Sequence, residues 1–288
     1  MASVQKIISE YEQEASKKNP RLRRDILLMI SKIKNISFDS LLLFPEKFSL
    51  NDLEEKKLRQ FIARYQKNEP VSKIINRKSF WSHDFFVNEN VLDPRPETEL
   101  IIETALIKFH IDEKIKILDI GTGSGCILLS LLAEFKNAIG IGIDASEKAI
   151  EVAEINKKSI GIDRAKFLAE SCEQYFSNHL EKFDLIVSNP PYIKTSDIET
   201  LDENVKNFDP HTALDGGEDG LRYYREFSSI ARNMLNENGI FLLEIGYGQQ
   251  KDVVKILEEN DFFVEDLRND LAGICRVISA RKNCEKIK

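Results

Sequence analysis

The sequence predicts an α/β fold: a Rossmann-like parallel sheet wound with helices on both faces, preceded by a small helical bundle. Three observations predict it. From about Thr98 onward, short apolar runs alternate with amphipathic segments. A glycine-rich turn, ILDIGTGSGCI, joins the first of those runs to a helix. The first 70 residues instead place apolar side chains at helical spacing.

In the N-terminal segment the helical spacing is carried by Ile7, Ile8 and Tyr11, then Ile26, Leu27, Ile30 and Ile33, then Leu53, Leu58, Phe61, Ile62 and Tyr65. Pro20 opens the second helix, Ser49 or Asn51 caps the last, and Pro70 marks its end. The next stretch, KSFWSHDFFVNENVLDP, is rich in aromatics and punctuated by Asn and Asp, which predicts a short hairpin; residues 71–97 read as a linker. Residues 98–288 then run as seven strands with intervening helices: KIKILDIG, CILLSLLAEF, IGIGID, EKAIEVAEINKK, AKFLAES and FDLIVSN, and after a long polar loop LRYYREFSSIARNML, GIFLLEIG, QQKDVVKILEEN, FFVEDL and GICRVISAR. A loop of that length points to function.

Composition bounds the class. A chain of 288 residues with 42% hydrophobic and 31% charged residues builds an ordinary globular core. No apolar run approaches the roughly 18 residues that span a bilayer, and the charged, amphipathic N-terminus has no signal-peptide centre, so a cytoplasmic protein is expected. Cys126, Cys172, Cys275 and Cys284 have no metal-binding spacing, and the four histidines are scattered, so no metal site is expected. The net charge of −7 hides a mildly basic first segment. It carries no basic run interleaved with aromatics, so direct nucleic-acid binding is not expected.

The glycine loop places Gly121, Gly123 and Gly125 where a strand enters a helix, with Thr122 and Ser124 between them. A dinucleotide fingerprint would need its third glycine at Cys126; the observed GxGxG favours S-adenosylmethionine, which has no pyrophosphate for the helix terminus to hold. Asp144 ends the next strand, where an acidic side chain accepts both ribose hydroxyls, and Ser146 is the better candidate to cap the following helix.

SNPPYIK follows the buried run FDLIV. The prolines stop the strand, and the polar amide and aromatic around them pose a chemical question, since an ordinary turn uses Gly or Asp. A planar amide or exocyclic amine is a poor nucleophile, so it needs alignment and acceptors for its two N–H groups. Asn189 through its side-chain oxygen and Pro190 through its carbonyl supply two acceptors, Pro191 adds rigidity, and Tyr192 offers a flat face. Neither a tuned general base nor a metal is required.

NPPY together with ILDIGTGSG, LDPRPETE, DPHTALDGGEDGL, LLEIGYGQ and DLAGICRV closely resembles the HemK/PrmC family of release factor glutamine methyltransferases. The resemblance covers about residues 70–280, and residues 1–70 resemble that family's helical substrate-recognising domain. It implies a class I S-adenosylmethionine-dependent fold and methylation of the side-chain amide nitrogen of the glutamine in the Gly-Gly-Gln loop of class 1 peptide chain release factors. It also implies that residues 121–125 and Asp144 hold the cofactor and that Asn189 to Tyr192 hold the glutamine. Ser171 and Cys172 stand where the family often has Asp followed by an aromatic, which leaves backbone contacts to the adenine there; Asp209 stands where it usually has Glu. Arg95, Glu97 and Glu99 fit either an ordered rim of the site or a surface salt-bridge network.

Three other readings stay open on the residues. A ribosomal-protein glutamine methyltransferase shares the chemistry. A nucleic-acid N6-adenine methyltransferase shares NPPY but would have to flip its base. A non-catalytic binding module would keep the cofactor fold alone.

Overall fold

The computed structural model describes residues 2–14 and 20–283, so Cys284 lies outside the described residues. The chain divides into two compact units, one of residues up to 77 with 203–208, the other of 78–202 with 209 onward.

The first unit contains β1 (Ala2–Ser3), α1 (Val4–Glu14), α2 (Leu22–Lys34), α3 (Phe38–Leu43), β2 (Ser49–Leu50), α4 (Asp52–Tyr65) and α5 (Val71–Ile75). Its core gathers Ile8, Ile26, Leu27, Ile30, Leu58 and Ile62 from the predicted helical stripes. Leu53 is out of phase with Leu58 and Ile62 and is 77% exposed. Asn51, not Ser49, caps α4: its side chain accepts from the Glu54 N–H at 2.9 Å, and Glu54 accepts from the Asn51 N–H at 2.9 Å. α4 stops at Tyr65, short of Pro70, because Asn68 turns left-handed at φ 63°; Pro70 instead leads into α5.

In the second unit β3 (Lys78–Phe80) and β4 (His83–Phe85) form the expected hairpin. Phe80 and Phe85 meet edge-on at 6.1 Å inside this unit's core, so the hairpin is packed into it. There follow α6 (Glu99–Lys108), β5 (Lys116–Ile120), α7 (Cys126–Glu134), β6 (Ile139–Asp144), α8 (Glu147–Ile160), β7 (Ala165–Ala169), α9 (Cys172–Asn178) and β8 (Phe183–Ser188). α10 (Glu203–Lys206), which groups with the first unit, precedes α11 (Arg222–Met234), β9 (Leu235–Glu244), α12 (Gln250–Glu259), β10 (Phe262–Asn269) and β11 (Cys275–Lys282).

The seven strands lie in the order β10-β11-β9-β8-β5-β6-β7. β5 to β9 are parallel, and β11 is antiparallel to both neighbours. Strand residues alternate between two cores. Ile117, Leu185, Val187 and Leu242 face one; Leu118, Ile186, Phe241 and Leu243 face the other. The order reverses at β5, which has β6 on one side and β8 on the other. At such a reversal, helices leave on opposite faces and a crevice opens beyond the carboxyl ends of the strands.

Candidate active site

The loop after β5 is tied to β6: the N–H groups of Gly121 and Thr122 both donate to the Ile143 carbonyl at 2.9 Å. Gly121 and Gly123 have φ of 73° and 54°, and a Cβ on either would meet nothing within 4 Å, so the loop presents bare backbone to open space. Gly125 serves packing instead, since a Cβ there would lie 2.9 Å from the Phe167 ring. Beneath the loop, Thr122 donates its hydroxyl to Asp119 at 2.6 Å. Burial pushes the Asp119 carboxyl up to about 7, against that hydrogen bond.

Asp144 ends β6 with both carboxylate oxygens oriented by backbone. Oδ2 accepts from the Gly123 N–H at 3.0 Å and Oδ1 from the Ser146 N–H at 2.9 Å. Burial raises its carboxyl, and the same two bonds oppose the shift. Ser146 caps α8, accepting from the Ala149 N–H at 3.2 Å.

A cavity of about 450 Å³ opens over these elements. Of the residues expected from the sequence, Gly121, Thr122, Gly123, Ser124, Asp144, Ser171, Cys172, Asn189 and Pro191 line it; Gly125, Pro190 and Tyr192 do not. Ser171 has its side chain engaged in capping α9, accepting from the Gln174 N–H at 3.2 Å, and Cys172 is buried with its thiol raised by desolvation. Pro190 is buried, and the partly buried Tyr192 packs on the core below, where burial raises its phenol.

Beyond β8 the chain is held from several directions. Ser188 donates to the Ile120 carbonyl at 2.8 Å. The Asn189 Nδ2 donates to the Thr98 hydroxyl at 3.1 Å. Ile193 exchanges hydrogen bonds with the DGG segment, its N–H donating to the Leu214 carbonyl at 3.0 Å and its carbonyl accepting from the Gly216 N–H at 2.7 Å. Gly216 fits because a Cβ there would lie 2.8 Å from the Tyr192 Cα. Arg95 donates to the buried Asp209 at 2.8 Å, so the PRPETE segment braces the same loop, whereas Glu99 accepts from the Trp81 N–H of the hairpin at 2.7 Å. The polar loop after β8 is therefore ordered by specific partners rather than being a free span.

Sequence reasoning missed Thr98, Glu170, Glu226, Glu244 and Gln249. Glu170 and Glu226 line the cavity, and burial raises the Glu226 carboxyl. The signal for Glu244 was present: a carboxylate inside the apolar run FLLEIG has no place on a strand buried on both faces unless it is partnered.

The bare glycine cradle, the acceptor Asp144 at a strand end and the buried Glu170 Oε2, which has no partner among the described residues, fit a nucleoside-bearing cofactor with hydroxyl and amine donors. Among the described residues no group of three or more His, Cys, Asp or Glu is placed to hold a metal ion, and no helix is long and apolar enough to cross a membrane.

The strand order and the cavity at the reversal define a class I methyltransferase domain. A family model described as a methyltransferase domain matches residues 111–283. A solved methyltransferase from Pyrococcus furiosus shares the fold with a TM-score of 0.53 at 18% identity, covering 78% of this chain and 98% of that one. The release factor glutamine methyltransferase of Rhodospirillum rubrum is 39% identical over 260 residues, 90% of this chain and 79% of its own length. That of Agrobacterium fabrum is also 39% identical, over 90% of each chain. The chain belongs to the release factor glutamine methyltransferase family.

Proposed function

We propose that this protein transfers a methyl group from S-adenosylmethionine to the side-chain amide nitrogen of the glutamine in the Gly-Gly-Gln loop of class 1 peptide chain release factors. The observation that carries the reading is the Asn189 carboxamide at the cavity edge. Its Nδ2 is committed to Thr98, which leaves Oδ1 as an acceptor.

S-adenosylmethionine, when bound, would supply an electrophilic methyl carbon on sulfonium sulfur: the C–S bond breaks with its electron pair staying on sulfur as the amide nitrogen lone pair forms the N–C bond, and the nitrogen then gives up a proton to solvent. Gly121 and Gly123 would hold the cofactor by close backbone approach, Asp144 would accept the ribose hydroxyls, and residues 170–172 would border the adenine. Asn189 Oδ1 and the Pro190 carbonyl grip the two N–H groups of the glutamine and turn its nitrogen lone pair toward the methyl carbon. Pro190 and Tyr192, outside the cavity over the glycine loop, belong to the glutamine side. The helical first unit, with Leu42, Leu43 and Phe44 exposed, is the candidate surface for the body of the release factor, and such a substrate puts the activity in the cytoplasm.

Incubation with isotopically labelled methyl donor and release factor, followed by peptide mass spectrometry, should place the label on the Gly-Gly-Gln glutamine. Label on a ribosomal protein or on an adenine base instead would overturn the substrate assignment. Loss of turnover in Asn189→Ala with cofactor binding kept separates catalysis from a binding module.

A further inference from the structure

We propose that Asn156 is a positioning residue for the cofactor: its buried side chain holds residues 86–95 against the glycine loop, so that this segment forms a fixed wall of the cavity. The proposal rests on the S-adenosylmethionine reading above and adds to it the strut that sets the spacing between wall and loop.

From the sequence, residues 71–97 read as a linker, yet Asn90 to Arg95 line the cavity. The hairpin strand β4 ends at Phe85, and there the backbone leaves its ladder. Asn156, on α8, takes over as the partner of the next residue. Its Oδ1 accepts from the Phe86 N–H at 2.6 Å, and its Nδ2 donates to the Phe86 carbonyl at 3.0 Å. Nδ2 also donates to the Ser124 carbonyl, within the glycine loop, at 2.9 Å. These partners fix which way the amide points. An N–H only donates and a carbonyl only accepts, so turning the amide round would mispair all three bonds.

Asn156 is 0% exposed, and a leucine of similar volume would fill its place without the cost of desolvating an amide. That cost is offset here because the acceptor and both donor hydrogens find backbone partners. The rest of the helix face agrees. Ala149 and Val152, spaced to lie on the same side of α8 as Asn156, pack with Val87 and Val91 in a small apolar cluster of their own. Ala153 packs against Gly125, where a Cβ would lie 3.3 Å from its methyl. One side of α8 therefore grips wall and loop together, and the Asn156 amide is the point at which both are hydrogen-bonded to it. Beyond Arg95 the chain runs on to Thr98, which accepts from the Asn189 Nδ2 at 3.1 Å. The same stretch thus reaches from the cofactor cradle to the acceptor carboxamide.

The test uses the full chain, with S-adenosylhomocysteine affinity from calorimetry and amide hydrogen exchange read by mass spectrometry. Asn156→Leu should bind S-adenosylhomocysteine roughly tenfold or more weakly. In the free variant, amides of residues 86–95 should exchange about tenfold or more faster while those of β5 and β8 keep their parental rates. A loss of general stability would not produce that local contrast. Val91→Ala, which loosens the wall without touching the amide, should weaken binding in the same direction. In the parent, S-adenosylhomocysteine should slow exchange over residues 86–95 as well as in the glycine loop. Asn156→Leu affinity within about twofold of the parent, exchange that rises evenly across the sheet, or no ligand protection of the wall in the parent would each overturn the proposal. Should Asn156→Leu fail to fold, parental affinity in Val91→Ala overturns it instead. A parent protein that binds no S-adenosylhomocysteine would overturn the cofactor reading, a distinct result, and the exchange contrast between the free proteins would still judge the strut.

Discussion

Gln249 reaches back along the chain to Tyr192: its Nε2 donates to the Tyr192 carbonyl at 3.0 Å and to the Gly220 carbonyl at 3.1 Å. Its Oε1 accepts from the Gly246 N–H at 2.9 Å and the Tyr224 hydroxyl at 3.0 Å. One amide therefore ties together the NPPY exit of β8, the DGGEDGL loop, α11 and the turn after β9. All four of its hydrogen-bonding positions are used, and it pins the backbone at the residue after the two prolines.

Gln249→Ala removes the side-chain donor from the Tyr192 and Gly220 carbonyls, while the Gly246 N–H and the Tyr224 hydroxyl keep only each other at 3.3 Å. It should cost about 2–3 kcal/mol of stability and lower turnover by roughly tenfold or more. Gln249→Glu keeps the acceptor side but loses both donations, so it should impair turnover as well. Denaturant melts and single-turnover assays check this; a Gln249→Glu variant with parental turnover would show that the clamp is dispensable.

Asp144 is the proposed cofactor-side counterpart. Removing its carboxylate in Asp144→Ala strips two backbone N–H groups of their acceptor and, on the proposed role, the acceptor for the ribose hydroxyls, so S-adenosylmethionine should bind about 10- to 100-fold more weakly. Calorimetric titration measures it directly, and unaltered affinity would move the ribose elsewhere.

Gly216→Ala probes the seat of the NPPY backbone. The new methyl would sit 2.8 Å from the Tyr192 Cα and 2.9 Å from the Pro191 carbonyl, both backbone atoms that cannot swing aside. Turnover should fall roughly 10- to 100-fold with cofactor affinity intact. Parental kcat in the variant would mean that the segment's position does not matter to the chemistry.

Asp119 gives a stability prediction with a definite sign. Its folded-state carboxyl sits near 7 against 3.8 in the unfolded chain. Its contribution is therefore fully present below about pH 4 and is lost as pH rises through 7. Asp119→Asn keeps an acceptor for Thr122 without the charge, so it should melt higher than the parent at pH 8, by up to about 4 kcal/mol in stability, and show little gain at pH 4. A variant that melts lower at pH 8 would contradict the burial argument.

What the sequence disclosed follows from how far apart partners lie along the chain. The glycine loop's place between strand and helix, and Asp144's at a strand end, could be read because those elements are consecutive and their placement depends on local backbone. The seven-stranded sheet could be read because alternation repeats. Thr98 and Gln249 could not, although both stand in quoted segments, because Thr98 acts on Asn189 and Gln249 on Tyr192 across folds of chain that no periodicity records. Gly125 was grouped with its neighbours by pattern, and only the Phe167 ring packed against it separates a packing glycine from a lining one. Leu53 shows the same limit within a helix, where a short apolar stripe leaves its phase uncertain.

β11 follows β10 in sequence yet lies between β10 and β9, and it carries Arg276, whose charge faces Tyr192 and Glu244. During synthesis, NPPY and the glycine turn leave the ribosome well before the strand that completes their surroundings. Until the β10–β11 hairpin docks, β9 presents a bare edge, the kind of template on which nascent chains pair with one another. A modifier of the termination machinery built this way acquires its competence only late in its own translation, so prematurely terminated copies would be inert.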